Sequence, residues 1–370
     1  MNILSYQSPR VDGCVYYRQV LPIGEVGLHH DAEVTFTAGT EPLKDEELKK
    51  YDIIHAHKGY IPINEMDRFK KLGLKTVVDF DDYWDIPESH GLYGEYHYEY
   101  IGEKNNKKLK LINGQRVLKK ESTPDFFRRT LRNFDYVTTT TPILAEFIYK
   151  YNKNVEIFPN AINPTYPMWQ RRATFSPKLR IGWIGGSQHY VDIKMLDGTP
   201  HKLANSDCRG KYEFTLFGYM PNTVYDNFAD FFTDRGKYLD AFKWYPPRPV
   251  LQEEGKPSYT QYYNDIDIAL VPLADTKFNS SKSELKLIEA GFFHKPTIVS
   301  NVDPYRYVIT DKNCLTVNHP NGWFKKIRKL INNPNMMRDL GDALYESVKD
   351  KYDIRNHTER RYNFYKKIIS

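Results

Sequence analysis

The sequence has few cysteines and no long apolar run, and these two scarcities exclude several classes of protein. Its three cysteines, Cys14, Cys208 and Cys314, are scattered and show no Cys-x-x-Cys spacing, so neither a disulfide framework nor a zinc site is predicted. No stretch approaches the roughly 20 apolar residues that a membrane-spanning helix needs. The N-terminus also lacks the regions of a secretory signal. We therefore expect a cytoplasmic protein without a transmembrane segment.

Strong charge of either sign is also missing. The chain has 53 basic and 47 acidic residues, a net charge of +6 with histidine neutral. Such a mild excess is compatible with an anionic small molecule, an anionic membrane surface or nucleic acid, and it does not choose between them. A length of 370 residues is enough for two domains with sizeable cores.

The pattern of the chain predicts two α/β domains in series. Residues 1–6 are apolar enough for a strand, and a loop with Gly13 and a helix follow, which is the opening of a doubly wound domain. Residues 164–177 contain Pro and Arg without periodicity and are predicted to be a linker. The strand pattern then restarts at residue 179. We predict an N-terminal domain over residues 1–165 and a C-terminal domain over residues 178–353.

Carboxylates and histidines follow the apolar strands of the first half. Asp81 and Asp82 close the predicted strand 74–82, at the end where open parallel sheets bind ligands. His55 and His57 share a face of the preceding strand, and we interpret them as strand-end histidines first, site-lining groups second and metal ligands third. The aspartates could bind a divalent ion through oxygen ligands, but hydrogen bonding to the hydroxyl groups of a ligand is the preferred interpretation.

The second half opens with a possible phosphate-binding loop. Residues 179–184 read as a strand that runs into Gly185 and Gly186, with Ser187 and His189 just after them. Small residues there let a ligand approach the backbone, and the N-terminus of a following helix offers free N–H groups. A Gly-Gly pair alone is a weak signal, and its place at the opening of the second α/β half is what supports this interpretation.

Residues 278–300 carry the most informative pattern. They predict a loop, a short helix, a turn at Gly291 and a buried strand over residues 297–299. Lys282, Lys286 and Glu289 are spaced i, i+4, i+7, which would place two cations and a carboxylate on one helical face. That set suits a nucleotide diphosphate and its ribose, although a solvated helix face has the same pattern.

This stretch resembles the donor-site signature of GT-B glycosyltransferases. A carboxylate followed by Ala, then Gly-x-x-x-Lys-Pro, then an apolar strand ending in Ser is closest to the large retaining family called glycosyl transferases group 1, or family four. That family has two glutamates separated by seven residues. Glu289 matches the second, which binds the ribose hydroxyls, whereas the first falls on Ser281, so Glu284 or no residue takes its role. The family's strand-end His-Asp is replaced by Asp81 and Asp82.

The resemblance implies a fold and a set of roles. The fold would be two Rossmann-like doubly wound domains facing a cleft, with a C-terminal helix at about residues 354–370 packing back on the first domain. The substrate would be a UDP- or GDP-linked sugar, with no tightly bound cofactor, no divalent metal and retention of anomeric configuration. Catalytic roles would fall on Asp81, Asp82 and Lys282, and donor-binding roles on Gly13, Gly185, Gly186, Ser187, His189, Ser283, Glu284, Lys286 and Glu289.

The acceptor is left open by the sequence. Residues 88–121 place four tyrosines beside a basic run. We interpret the tyrosines as part of an acceptor-binding insertion. For the lysines alone, a solvated helix with a surface loop is the favoured interpretation. We expect a glycan, lipid-linked or protein acceptor, and peripheral membrane contact is compatible with the charge. Two alternatives are a transferase acting on hydroxymethylated bases of phage DNA, and a non-catalytic nucleotide- or glycan-binding module.

Overall fold

The computed structural model describes residues 1–38, 43–58, 62–88, 93–101, 108–186, 189–218, 242–251, 253 and 256–370. The chain forms two compact units. The first contains Met1–Arg10, Arg18–Pro159 and Arg360–Ser370, and the second contains Val11–Tyr17 and Asn160–Glu359. Among the described residues, no helix combines the length and the apolar character that crossing a lipid bilayer requires.

Each unit is built on a six-stranded parallel sheet. The strands of the first unit are β1 (Asn2–Tyr6), β2 (Glu33–Thr37), β3 (Ile53–His57), β4 (Lys75–Phe80), the short pairs β5 (Tyr100–Ile101) with β6 (Lys108–Leu109) and β7 (Leu111–Ile112) with β8 (Gln115–Arg116), then β9 (Tyr136–Thr139) and β10 (Val155–Ile157). Those of the second unit are β11 (Leu179–Ile184), β12 (Tyr212–Phe217), β13 (Phe242–Tyr245), β14 (Ile268–Val271), β15 (Thr297–Ser300) and β16 (Leu315–Val317).

Helices connect these strands. The α-helices are α1 (Gly13–Val15), α2 (Leu21–His29), α3 (Asp45–Leu48), α4 (Met66–Lys71), α5 (Tyr93–His97), α6 (Thr123–Asn133), α7 (Pro142–Ile148), α8 (Tyr190–Ile193), α9 (Thr199–Ala204), α10 (Lys277–Ser280), α11 (Leu285–Phe292), α12 (Gly322–Ile331), α13 (Pro334–Val348) and α14 (Arg355–Ile369). A π-helical turn, Tyr16–Val20, joins α1 to α2. Five described 3-10 segments are Ile63–Glu65, Pro167–Trp169, Lys194–Leu196, Tyr259–Asp265 and Asp303–Tyr305.

The strand order fixes where a ligand can bind in each unit. The first sheet runs β10-β9-β4-β3-β1-β2 and the second β13-β12-β11-β14-β15-β16. The direction of strand progression reverses between β1 and β3 in the first sheet and between β11 and β14 in the second. In open parallel sheets, ligands bind beyond the carboxyl ends of the strands at such a reversal. Gly185 follows β11 directly, so the predicted loop lies at this point.

Central strands are apolar on both faces because helices cover both sides of a parallel sheet. All four residues of β14 are buried. The core of the first unit packs Ile3 and Ile53 of the sheet against Tyr365 and Ile368 of α14. The core of the second unit includes the fully buried Trp323 of α12. Residues of α14 thus pack on the first sheet, and a covering helix is what an apolar sheet face needs in order to be buried.

Helix starts in the first unit follow the expected capping chemistry, with one shift. Thr141 caps α7, and its Oγ1 accepts a hydrogen bond from the Leu144 amide at 3.2 Å, as the Thr-Pro pair predicts. At α6 the cap is Ser122, whose Oγ accepts from the Asp125 amide at 3.2 Å. The Thr123–Pro124 pair predicts the cap of this helix at Thr123, and that prediction is wrong because the Ser122 hydroxyl, one residue earlier, takes the position.

Residues 278–300 form two helices rather than one. Lys282 lies between α10 and α11, so the prediction that it shares a helical face with Lys286 was wrong. Gly291 lies inside α11 and not in a turn; a Cβ there would stand 2.6 Å from Val348 Cγ2, so this glycine allows α11 to pack closely on α13. The chain turns instead at His294, which has a φ of 53°.

The tyrosine-rich stretch also differs from expectation. The basic run was expected to be helical, but its described part forms the β7–β8 hairpin, whose turn residues Asn113 and Gly114 have φ values of 50° and 78°. Asn-Gly between short strands favours such a turn because both central residues need positive φ. Tyr93 stacks on His97 within α5, with ring centres 4.2 Å apart.

Candidate functional site

The carboxyl edge of the second sheet brings small and cationic residues together. At Gly185 a Cβ would stand 2.5 Å from a ring carbon of Trp183 and 3.0 Å from Lys286 Nζ, so only glycine fits between them. At Gly186 a Cβ would meet no atom of the described residues within 4 Å. The first glycine is thus needed for packing, whereas the second is open.

Two lysines lie near this loop. Lys286 on α11 donates a hydrogen bond to the carbonyl of Ile184, and its Nζ lies 5.4 Å from the centre of the Trp183 ring. Burial lowers the pKa of Lys286, and the charge of Lys282 lowers it further, whereas Glu289 raises it. Lys282 Nζ lies 4.6 Å from the centre of the Phe278 ring. The two cations repel each other, so an anion bound beside them would be stabilised.

His189 adds a third nitrogen base to this group. Burial lowers its pKa below the ordinary 6.5, and Lys286 and Lys282 act in the same direction, while its hydrogen bond to Asp192 raises it. His189 Nδ1 lies 2.7 Å from Asp192 Oδ2. Although burial alone would raise the pKa of Asp192, the His189 contact holds it below the ordinary value. The ionised carboxylate only accepts hydrogen bonds, so Nδ1 carries the proton. In the neutral ring Nε2 is then a hydrogen-bond acceptor.

Asp192 is itself held from two other elements. Its Oδ1 accepts a hydrogen bond from the Ala274 amide at 2.8 Å and from the Asn279 side chain at 3.1 Å. Ala274 follows β14 and Asn279 lies on α10. The carboxylate therefore holds the His189 imidazole near the end of β14, one of the two strands at which the strand order of this sheet reverses. Sequence reasoning missed Asp192; its spacing of three residues from His189 at the start of a helix was the available signal.

Glu289, the residue expected to bind ribose, is enclosed by tyrosines. Its Oε1 accepts hydrogen bonds from Tyr17, at 2.9 Å, and from Tyr259, and its Oε2 accepts from Tyr263 at 3.0 Å. Only 3% of Glu289 is exposed. Burial raises the pKa of this carboxyl, and the tyrosine hydrogen bonds and Lys286 oppose that rise. No local pattern indicated these three partners: Tyr259 and Tyr263 share one 3-10 segment, and Tyr17 comes from a distant part of the chain.

The neighbouring predicted donor residues are tied to the protein frame. Ser281, at the position of the family's first glutamate, is buried and donates to the Phe278 carbonyl at 2.9 Å. Ser283 Oγ accepts from the Asn160 side chain at 2.8 Å. Glu284 is buried and accepts from the Tyr352 hydroxyl, and burial raises its pKa. The structure thus gathers these residues beside Lys282, although Glu284 faces Tyr352.

Of the remaining predicted donor residues, the structure describes Gly13 but not Ser187. Gly13 is the first residue of α1, capped by Asp12, whose side chain accepts from the Val15 amide at 2.9 Å. A Cβ at Gly13 would meet no atom of the described residues within 4 Å, so the chain's own packing does not require glycine there. Ser187 lies outside the described residues, and its predicted role stays a prediction.

Asp81 and Asp82 lie at the carboxyl edge of the first sheet, next to a cation. Lys58 Nζ lies 2.5 Å from Asp81 Oδ1 and 2.6 Å from Asp82 Oδ2. His57 Nε2 lies 3.3 Å from the same Asp81 oxygen. Although burial raises the pKa of Asp81, Lys58 and His57 together hold it well below its ordinary value. A carboxylate that stays ionised accepts hydrogen bonds from hydroxyl groups but is a weak proton acceptor.

A buried ion pair supports this edge from below. Arg18 Nε donates to Asp79 Oδ1 at 2.9 Å, and its Nη2 donates to Oδ2 at 2.8 Å. Thr138 donates to Asp79 at 2.6 Å and Arg18 donates to the Phe158 carbonyl at 2.8 Å. Neither Arg18 nor Lys58 was singled out from the sequence as part of a site. The signal for Lys58 was its position directly after His57, the last residue of β3.

The sequence matches no family model, and no curated protein matches it. Its structure, in contrast, is similar to many solved structures. A glycosyltransferase from Rickettsia africae has a TM-score of 0.65 and 13% identity, with 100% of this chain and 98% of that chain covered. HepE from Anabaena, solved in complex with UDP and glucose, has a TM-score of 0.63 and 10% identity, with 99% and 100% covered.

A third similar structure belongs to a longer protein. TarM has a TM-score of 0.57 and 15% identity, with 87% of this chain covered. This chain spans 55% of the length of TarM. Identities this low show the fold alone. These structural similarities and the two parallel sheets show that the chain has the GT-B fold of two Rossmann-like α/β units, as the resemblance in the sequence implied.

Proposed function

We propose that this chain is a glycosyltransferase that moves a sugar from a nucleotide-sugar donor to a hydroxyl group of an acceptor. The observation that carries the proposal is the group formed by Lys286, Lys282 and His189 beside Gly185, at the strand reversal of the second sheet. The two lysine ammonium groups there would hold a diphosphate and stabilise it as a leaving group, while Nε2 of His189 is available to accept a hydrogen bond from a hydroxyl group of the donor. HepE, which has the same fold, binds UDP and UDP-glucose.

The donor roles are proposed as follows. Lys282 and Lys286 hold the diphosphate, and Gly185 and Gly186 let it approach the backbone. His189, whose proton lies on Nδ1, accepts a hydrogen bond from a sugar hydroxyl through Nε2. Ser283 and Glu284 line the same side of the site. The donor is proposed to be UDP- or GDP-linked, with no tightly bound cofactor and no divalent metal.

Glu289 is proposed to bind the ribose together with its tyrosines. A carboxylate offers about four lone-pair sites, and three tyrosine hydroxyls donate to it. One ribose hydroxyl would therefore complete the set, or would replace Tyr259. The tyrosines keep the carboxylate fixed while no sugar is bound.

The acceptor is proposed to bind at the carboxyl edge of the first sheet. Asp81 and Asp82, fixed by Lys58, would accept hydrogen bonds from acceptor hydroxyls and orient the attacking one. Because the pKa of Asp81 is low, the departing phosphate is the better proton acceptor. We propose transfer with retained configuration, which rests on the family resemblance, and an acceptor that is a glycan, a lipid-linked sugar or a protein.

Thermal unfolding with UDP, GDP, ADP, CMP and their sugar conjugates tests the donor site. A nucleotide at about 100 times its Kd stabilises the native state by about 2.7 kcal/mol, so one nucleotide should raise Tm clearly. Lys282→Ala and Lys286→Ala should lose that rise. The exposed Lys325 on α12 provides the control, and Lys325→Ala should keep it. No rise with any nucleotide would reject the proposal.

A second candidate function follows from Ser281 and Glu289. Because Ser281 supplies no carboxylate and Glu289 is already enclosed, the chain would bind nucleotide or glycan without catalysis. Incubation with the stabilising nucleotide sugar separates the two functions. Release of free nucleotide, with an acceptor or by slow hydrolysis, supports the transferase, and anomeric NMR of the product tests retention. Binding without release supports the non-catalytic module.

A further inference from the structure

The β7–β8 hairpin of the first unit exposes apolar side chains at its tip. Leu111 is 56% exposed and Ile112 is 57% exposed. Leu111 pairs with Arg116 and Ile112 with Gln115, and successive residues of a strand point to opposite faces. The two bulky side chains therefore extend from both faces of the ribbon, next to the Asn113–Gly114 turn.

The hairpin is held by backbone hydrogen bonds in a neighbouring segment, residues 98–101 and 117–118, which we call the platform. The Glu99 amide donates to the Val117 carbonyl at 2.8 Å, and the Lys110 amide donates to the Glu99 carbonyl at 2.9 Å. Tyr98 forms an isolated antiparallel bridge with Leu118. Two more apolar side chains are exposed on this platform, Ile101 at 55% and Leu118 at 65%. The exposure is thus concentrated on an ordered structure.

Cations surround these side chains. Residues 108–120 contain five basic residues, Lys108, Lys110, Arg116, Lys119 and Lys120, and no carboxylate. Glu99 pairs with Lys110 at 2.5 Å, and the Arg116 guanidinium lies 5.4 Å from the centre of the Tyr98 ring. Over the described residues 93–101 and 108–120, these five basic residues exceed the two carboxylates, Glu95 and Glu99, so the net charge of this region is +3 with histidine neutral.

We propose that this hairpin docks on an anionic lipid surface, with Leu111 and Ile112 entering the interfacial region and the basic residues meeting the headgroups. Apolar insertion combined with cations is the pairing that gives peripheral membrane binding. A protein partner is a poorer fit because a specific interface buries about 800 Å² on each side, which a two-residue-wide tip cannot supply. Nucleic acid would use the cations but not the aliphatic tip.

Sedimentation with vesicles tests this docking. The wild-type protein should bind vesicles of phosphatidylglycerol and phosphatidylcholine at low salt, and binding should fall in high salt. Vesicles of phosphatidylcholine alone should bind at least tenfold less. Leu111→Ser combined with Ile112→Ser should weaken binding to the anionic vesicles at least tenfold. Leu28→Ser combined with Phe175→Ser removes residues that are 70% and 93% exposed and should leave binding unchanged.

Three results would overturn the proposal. These are failure of the wild-type protein to bind anionic vesicles, full binding by the Leu111→Ser, Ile112→Ser variant with unchanged circular dichroism, and equal loss in the control variant. Duplex DNA binding that is tighter than vesicle binding and insensitive to the serine substitutions would also overturn it, and would assign the cations to nucleic acid. No nucleotide is needed in this experiment, so its outcome is independent of the proposed transferase activity.

Discussion

Asp192 holds His189 in one tautomer: Nδ1 of the imidazole donates to Oδ2 of the carboxylate at 2.7 Å. The same carboxylate is fixed by Ala274 and Asn279, so the imidazole is positioned by three elements of the second unit. Its pKa reflects a balance in which burial and two lysines lower it while Asp192 raises it. That balance can be shifted in either direction by single substitutions.

We predict opposite changes in the pKa of His189 from two variants. Asp192→Asn removes the group that raises it and should lower the pKa, whereas Lys286→Met removes a cation that lowers it and should raise the pKa. A titration of the histidine ring nitrogens by NMR measures both. Asp311→Asn, at an exposed position, is the control and should change nothing. Movement of the pKa in the same direction in both variants would contradict this account of the site.

The separation of Lys282 from Lys286 shows the limit of periodicity. Spacing of i, i+4 places residues on one face only if a single helix contains them, and Ser281, Lys282 and Ser283 interrupt the helix. The local sequence contains no proline or glycine at this point. The two lysines nevertheless remain close enough for the charge of Lys282 to lower the pKa of Lys286, because residues before and at the start of one helix stay near each other in space.

Glu289 is predicted to be a stability residue as well as a binding residue. Glu289→Ala would remove the shared acceptor of three tyrosine hydroxyls, of which only Tyr17 and Tyr259, 2.8 Å apart, can still bond to each other. It should cost about 3 kcal/mol, whereas Glu289→Gln keeps an acceptor and should cost less. Urea unfolding measures both. Because burial raises the pKa of Glu289 above 4.5, the native state binds a proton more tightly than the unfolded state. The wild-type protein should therefore lose stability relative to Glu289→Gln as pH rises above 4.5. Equal pH slopes would contradict it.

The buried His55 predicts a pH dependence of the opposite sign. Neither of its ring nitrogens has a hydrogen-bond partner among the described residues, and burial lowers its pKa from 6.5 to about 3. Asp79 opposes that shift, and Arg361, His57 and Arg18 add to it. Because the unfolded state takes up a proton below pH 6.5 and the native state does not, stability is lost as pH falls.

Comparison with His55→Leu isolates this effect. Between pH 7 and pH 5 the wild-type protein should lose about 2 kcal/mol relative to the variant, measured by urea unfolding at each pH. Leucine fits the apolar side of the pocket, where the Tyr365 ring lies 6.1 Å from the imidazole. His29→Leu, on a histidine with 56% side-chain exposure, is the control. A pH slope that survives in His55→Leu would assign the effect to another group.

The first unit shows which contacts sequence alone could supply. The strands and the place of Asp81 and Asp82 after β4 follow from apolar runs and from the rule that parallel strands end at one edge. The pairing of Arg18 with Asp79 joins residues 61 positions apart, and no local pattern encodes such a distance. The same holds for Tyr17 and Glu289, which are 272 positions apart. Local patterns therefore predicted the strands and the sheet edge at which they end. The hydrogen-bond partners depend on how distant parts of the chain pack together.

Gly185 and Gly186 form a matched pair that tests whether the position of Lys286 controls the site. In Gly185→Ala the new Cβ meets Trp183 and Lys286 Nζ, so both must shift, at a cost of about 1–3 kcal/mol in stability. We expect affinity for the stabilising nucleotide to fall at least tenfold, measured by titration calorimetry.

Gly186→Ala should keep stability, because its Cβ points into open space among the described residues, and it should lower affinity much less than Gly185→Ala, because it leaves Lys286 in place. The two substitutions add the same methyl group one residue apart, so their difference isolates the contact with Trp183 and Lys286. If Gly186→Ala lost affinity as strongly as Gly185→Ala, close approach of the ligand to the loop backbone would control binding instead. Lys286 would then be a neighbour of the site rather than the residue that organises it.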